Sequence, residues 1–206
     1  MHFAKISAVF FASLLFVAPA SAVKFSAVGA MIQAEPKLSN GSTYTAKNSY
    51  GGGALLEFGL GPIFGFEIGA LSLPRKYEFA NINAGITSSV VATQKMLQVP
   101  VLFRAYLGKV LSLGFGGYYA KYNGSYAFET TTLGVKTTGS STYAAAGLSD
   151  SDYGFVSSIA LYIPMAPMFR IILDGRYTVG VKDNSTTTTE MKFNDIQALA
   201  GFQLGF

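Results

Sequence analysis

The sequence predicts an all-β fold: an eight-stranded, antiparallel, up-and-down transmembrane β-barrel. Three observations carry that expectation. Residues 196–206 alternate strictly, with Ile196, Ala198, Ala200, Phe202, Leu204 and Phe206 on one apolar face. The other face, Asp195, Gln197, Leu199, Gly201, Gln203 and Gly205, is polar or small apart from one leucine, as expected of a strand whose two sides meet different environments. Half of the chain is hydrophobic and only 13% is charged, against roughly 25% in soluble domains. Yet beyond the amino-terminal segment no apolar run nears the ~20 residues that a transmembrane helix needs, which leaves tilted strands of about 9–11 residues. Third, short turns and long polar loops alternate along the whole chain, an asymmetry that a soluble sandwich has no reason to adopt.

The first 22 of the 206 residues read as a secretory signal peptide: one lysine within residues 1–5, an apolar run over 6–17, and a small-residue cleavage site, Ala20-Ser21-Ala22. The run is too short to span a bilayer. The mature domain is expected over 23–206.

The first strand is expected over 23–35, with Val28, Ala30 and Ile32 alternating with Ala27, Gly29 and Met31. Gln33 argues for placing the odd set, including Gly29, inside. Residues 36–49 read as a loop. Over 50–60, Ala54, Leu56, Phe58 and Leu60 face outward and Gly53, Leu55, Glu57 and Gly59 inward. Gly61-Pro62 makes a tight turn into 63–73, where Phe64, Phe66, Ile68 and Ala70 oppose Gly65, Glu67 and Gly69, completing a hairpin. A loop is expected over 74–93.

Residues 94–107 place Leu97, Val99, Val101, Phe103 and Ala105 outward, and Gln98, Pro100, Leu102, Arg104 and Tyr106 inward. Pro100, lacking an amide hydrogen, predicts a bulge. A turn at 108–110 leads into 111–122, and 123–151 is the longest loop. Residues 152–163 alternate Tyr153, Phe155, Ile159, Leu161 and Ile163 against Gly154, Val156, Ser158 and Ala160; a turn at 164–167 follows. In 168–180, Phe169, Ile171, Leu173, Tyr177 and Val179 point outward and Arg170, Asp174, Arg176 and Thr178 inward. A last loop over 182–194 precedes the closing strand. The pattern places both termini and the three turns on the periplasmic side and the four loops outside.

Charges discriminate between barrels. Glu57, Glu67, Arg104, Arg170, Asp174, Arg176 and Asp195 all fall on the inner face, while Lys24, Lys95 and Lys121 occupy outward positions at strand ends, within reach of the interface. A charge on the lipid face at mid-depth costs about 2–4 kcal/mol. A soluble lipocalin-like barrel would show the inverse distribution. Tyr50, Tyr119, Tyr153 and Tyr177 suit an interfacial belt near the outer rim,.

The strand Leu97-Gln98-Val99-Pro100-Val101-Leu102, the strand start Asp152-Tyr153-Gly154, and the segment Asp174-Gly175-Arg176-Tyr177-Thr178-Val179-Gly180 together resemble the small outer-membrane β-barrel domain family, which includes PorT-like proteins and the OmpA transmembrane domain. The terminal Gly201, Leu204 and Phe206 resemble the carboxy-terminal signal read by the barrel-assembly machinery, although Leu199 stands where that signal prefers a polar residue. The resemblance covers the mature chain. It implies an eight-stranded barrel inserted by that machinery into outer-membrane lipid, with no activity common to all members.

Absences narrow the function further. There is no cysteine, and the one histidine, His2, lies within the signal peptide. Disulfides, thiolate metal sites and thiol or histidine catalysis are therefore not expected. A metal would need oxygen ligands. Ser149-Asp150-Ser151-Asp152 and Lys182-Asp183-Asn184 offer some, but acidic turns of this kind are usually solvated. The net charge of +4 is scattered, so no nucleic-acid partner is expected, and no cofactor either. The inner acids (Glu57, Glu67, Asp174, Asp195) and arginines (Arg104, Arg170, Arg176) read as a salt-bridged plug, because eight strands enclose a space that side chains just fill. The alternative is a narrow pore for small solutes or ions. A structural or surface-interaction role is expected, with recognition of any extracellular ligand left to the loops.

Overall fold

The computed structural model describes residues 23–39, 44–83, 86–187 and 189–205. The expected signal peptide and Phe206 lie outside the described residues. Ten strands follow in order: β1 (Val23–Leu38), β2 (Thr45–Gly59), β3 (Phe64–Asn83), β4 (Ile86–Leu107), β5 (Leu111–Tyr122), β6 (Tyr126–Thr132), β7 (Val135–Ser141), β8 (Ser151–Ala166), β9 (Phe169–Gly180) and β10 (Met191–Gly205). Eight are staves of a closed antiparallel barrel, in the order β1-β2-β3-β4-β5-β8-β9-β10, with β10 returning to β1. Closure runs from Lys24↔Gly205 to Leu38↔Met191. The remaining hairpin, β6–β7, grows from the part of β4 that outruns β5: Ser88–Thr93 pair with β6, whereas pairing with β5 begins at Met96↔Tyr122.

Several expected loops are strands. Residues 74–83 complete β3, 86–93 open β4, and 123–151 contains β6 and β7. Ser/Thr-rich composition suggests loops there, but β-branched Thr and Val are good strand formers, and Ser and Thr hydroxyls pair across the sheet, as Ser88 and Thr132 do at 2.7 Å. Pro74 did not end β3 because β2 bulges opposite it. The β2–β3 register shifts between Lys47 and Gly52, and the Ser49 hydroxyl donates to the Pro74 carbonyl. The bulge removes the ladder partner that a proline cannot serve. Pro100, by contrast, carries no bulge: its pairing with Tyr118 keeps the register of the whole β4–β5 ladder.

The alternation holds in β2–β5 and β8–β10, but the facing of β1 is opposite to expectation. Val28, Ala30, Ile32 and Ala34 are buried, while Gly29 and Gln33 are exposed. Gln33 sits opposite Ile196, with Glu35↔Asn194 and Lys37↔Lys192 beyond it. It therefore marks the rim, where a polar residue says nothing about which side is wet. Lys24 consequently points inward, not outward.

Two short turns rest on glycines with left-handed backbone, Gly61 at φ 90° and Gly108 at φ 73°, which a Cβ would disfavour. Gly65 leaves room for the Tyr106 ring: a Cβ there would come within 2.5 Å of the phenol oxygen.

The outer surface is apolar over a band of defined height. On β8 the exposed positions Tyr153, Phe155, Ile159, Leu161 and Ile163 are interrupted only by Ser157. At about 3.4 Å per residue and a tilt of about 40°, they span roughly 26 Å along the barrel axis. Ile159 lies at the middle of that band and Leu204 near its short-turn edge, paired with Phe25 and Phe169. Ile159→Arg is expected to lower stability in lipid vesicles by about 2–4 kcal/mol and Leu204→Arg by no more than about 1 kcal/mol, measured from denaturant midpoints of the heat-modifiable folded form. Equal losses at the two positions would contradict the depth assignment.

Candidate functional site: the polar interior

The barrel interior carries two ionic layers at different depths. The layer nearer the short turns is organised by Arg104 of β4. Its Nε donates to Glu67 Oε2 at 2.8 Å, Nη2 to Asp174 Oδ2 at 2.6 Å, and Nη1 to Ser112 Oγ at 3.0 Å. Arg176 of β9 donates through Nη2 to the other Glu67 oxygen at 2.8 Å and through Nε to Asp174 at 3.0 Å. Ser158 donates to Asp174 at 2.6 Å. Glu57 accepts from Lys24 at 2.5 Å and from the Tyr162 hydroxyl at 2.9 Å, and lies 4.0 Å from Arg104. Lys24, Arg104 and Arg176 thus balance Glu57, Glu67 and Asp174 across five staves, β1 to β4 and β9.

The second layer lies toward the long loops and is organised by Arg75 of β3, which is fully buried. Its Nε and Nη2 grip Asp195 in a fork, at 3.0 Å and 2.7 Å. Its Nη1 donates to Asp152 at 2.6 Å and to the Tyr122 hydroxyl at 2.5 Å. Tyr118 and Asn184 also donate to Asp152, at 3.0 Å and 3.2 Å, and Thr178 donates to Asp195 at 3.1 Å. The Phe193 ring covers the guanidinium, with 4.5 Å from Cζ to its centroid. Forked, charge-assisted bonds of this kind set geometry as well as energy.

Between the layers, Gln197 donates to Gln98 across the lumen at 2.9 Å. Leu55, Leu71, Leu102 and Leu199 are packed there in the apolar core. Beyond Arg75, Tyr77, Ala92, Met191 and Phe193 form a second buried cluster. At the short-turn end, Lys24, Tyr106, Lys109 and Arg170 line a cavity of about 480 Å³.

Six of the seven residues expected in the lumen are buried there, but not as one cluster. Asp195 belongs to the Arg75 layer, out of the reach of Arg104 and Arg176. Arg170 sits at the mouth, only partly buried, with its guanidinium 5.1 Å from the Tyr162 ring centroid. Three charged members escape the sequence pattern: it puts Lys24 outward with its strand, Arg75 in a loop, and Asp152 in a solvated acidic turn. The signal was present for two of them. Arg75 continues the odd inner register of Glu67 past Pro74, and Asp152 continues the even inner register of Gly154 and Val156. Asn184, assigned to the same class of solvated turn, is likewise buried in the Arg75 layer.

Each inner carboxylate is held by a cation, which leaves none poised as a general base. Among the described residues no group of three or more His, Cys, Asp and Glu side chains could hold a metal. Outside the barrel wall, the hydrogen bond from Lys121 holds the Asp150 carboxyl below its ordinary range.

A family model described as outer membrane protein beta-barrel domain matches residues 18–186. The chain belongs to that family. The match ends before β10, the stave that closes the barrel against β1. Family and fold together assign the chain to the bacterial outer membrane, its apolar band against lipid. Among solved structures, it is similar to OprG from Pseudomonas aeruginosa at 11% identity, covering 92% of this chain and 98% of that one, with a TM-score of 0.49. It is also similar to Ail of Yersinia pestis at 13% identity, covering 89% and 99% with a TM-score of 0.45. No curated protein matches the chain. Of the carboxy-terminal residues singled out, Gly201 lies on the inner face of β10 and Leu204 on the lipid face.

Arg75→Met is expected to destabilise the barrel by about 3–5 kcal/mol, because it leaves Asp152 and Asp195 buried without their cation. Adding Asp152→Asn and Asp195→Asn should recover most of that loss. Denaturant midpoints in vesicles measure both, and a triple variant no more stable than Arg75→Met would refute the pairing.

Proposed function

We propose that this protein is an outer-membrane barrel with a structural or surface-interaction role, whose lumen is closed to solutes. The observation that carries this reading is the presence of two cross-lumen ionic layers, around Arg104 and Arg75, with leucines packed between them. A solute would have to separate paired charges in a narrow space where each needs its partner. In this reading the long-loop end faces outward, both termini are periplasmic, residues 1–22 are removed on export, and the assembly machinery reads Gly201, Leu204 and Phe206. The exposed loops, including the β6–β7 hairpin, supply whatever recognition of extracellular ligands the protein performs. No cofactor enters, and no catalytic step is assigned to the engaged carboxylates.

Two measurements test this. Planar-bilayer recordings of the purified protein should be silent; a stable unit conductance would replace the closed lumen with the pore reading. The chain has no cysteine, so Leu133→Cys, at the exposed β6–β7 turn, gives a single thiol. A membrane-impermeant maleimide should label it in intact cells, whereas labelling only after the outer membrane is opened would reverse the orientation.

A further inference from the structure

One lysine from each of four adjacent staves stands on the outward face just past the apolar band, at the long-loop end. Lys47 of β2 is directly opposite Lys76 of β3. Lys76 faces Thr93, which puts Lys95 of β4 in the diagonal position; Leu97↔Lys121 sets Lys121 of β5 diagonal to Lys95 in turn. Like charges placed opposite or diagonally across a sheet repel. Four in a row therefore need compensating negative charge. The chain supplies part of it: Lys47 pairs with Glu78 at 2.5 Å and Lys121 with Asp150 at 2.5 Å. No carboxylate among the described residues forms an ion pair with Lys76 or Lys95, and both lysines are exposed.

Their height is set by their neighbours. Leu97 and Val99 lie directly below Lys95 on the same face, and Val99 is opposite Tyr119, below Lys121. The ammonium groups therefore stand at the level of lipid headgroups. Beside Lys47 and Lys76 is a groove of about 440 Å³, bounded by Asn48, Thr93 and Thr138 and walled by Phe128; the one carboxylate that lines it, Glu129, is paired with Lys136 at 2.9 Å. It exists because β6 pairs with β4 where β5 has ended.

We propose that this lysine row and groove bind a phosphorylated glycolipid of the surrounding leaflet. Lys76 and Lys95 take its phosphate, while Asn48, Thr93 and Thr138 meet its sugar hydroxyls. A simple diacyl phospholipid offers the phosphate but no sugar to occupy the groove. Placing this lipid in the outer leaflet rests on the orientation proposed above; binding itself does not.

The test uses the full barrel in phosphatidylcholine vesicles doped with an acylated, bis-phosphorylated disaccharide or with its dephosphorylated form, bound lipid being counted by native mass spectrometry. The wild type should prefer the phosphorylated lipid. Lys76→Gln with Lys95→Gln should weaken that binding roughly 30-fold, the factor two lysines contribute at an anionic lipid surface. Heat-modifiable migration and binding of the dephosphorylated lipid should not change. Equal binding of the two lipids, or an unaffected double variant, overturns the proposal. Displacement by millimolar inorganic phosphate would make this a general anion site and also overturn it. The Leu133→Cys labelling reports orientation separately, so a failure there is distinguishable from a failure of lipid binding.

Discussion

A charge inside a narrow barrel must find a partner there, and the interior is arranged around that requirement. Transferring an ion from water to a confined protein interior costs several kcal/mol, recovered only through close, well-directed pairing. Lys24, Arg75, Arg104 and Arg176 between them engage Glu57, Glu67, Asp152, Asp174 and Asp195, while Arg170 lies over Tyr162 at the mouth. Four cations serve five carboxylates by sharing. Glu67 gives one oxygen to each of two arginines, and Arg75 divides its nitrogens between two aspartates and a tyrosine. These contacts join staves that share no backbone ladder, such as β3 with β9 and β3 with β10.

The same pairs constrain the seam. β1 and β10 are the ends of the chain in the barrel and must meet in one register. Inverting the facing of β1 would place Val28, Ala30 and Ile32 in lipid and Gln33 in the lumen, but it would also strand Lys24 outside and leave Glu57 without its nearest cation. The charge pair thus supports the register that apolar patterning alone left ambiguous. At the other end, Asp195 sits one residue before the apolar alternation of β10 begins at Ile196, and Arg75 ties it to β3 across the barrel.

Much of the fold was legible. Strands β2 to β5 and β8 to β10 show a lipid face and a lumen face because each residue is sorted by its own solvation. Errors gathered at the rim, where both faces are wet and a polar residue stops being diagnostic: Gln33 misassigned β1, and the Ser/Thr-rich segment over 86–93 was read as loop. Pro74 concealed Arg75 because its penalty depends on a neighbouring strand, and the compensating bulge lies in β2. Asp152 was hidden by its acidic neighbours, although its parity was already correct.

By itself the sequence determined the fold class, the number of staves and the side on which most residues fall. Those depend on period-two alternation, a local property that solvation reads one residue at a time. Only the tertiary structure decided which acid meets which base. Parity says that Asp174 and Asp195 both point into the lumen, but not that one joins Arg104 and the other Arg75. That choice depends on the stagger of staves distant in sequence, which sets the depth of each side chain. The closing strand shows both levels: its alternation is written in residues 196–206, while its partners in β1, β9 and β3 were chosen by the closure of the barrel.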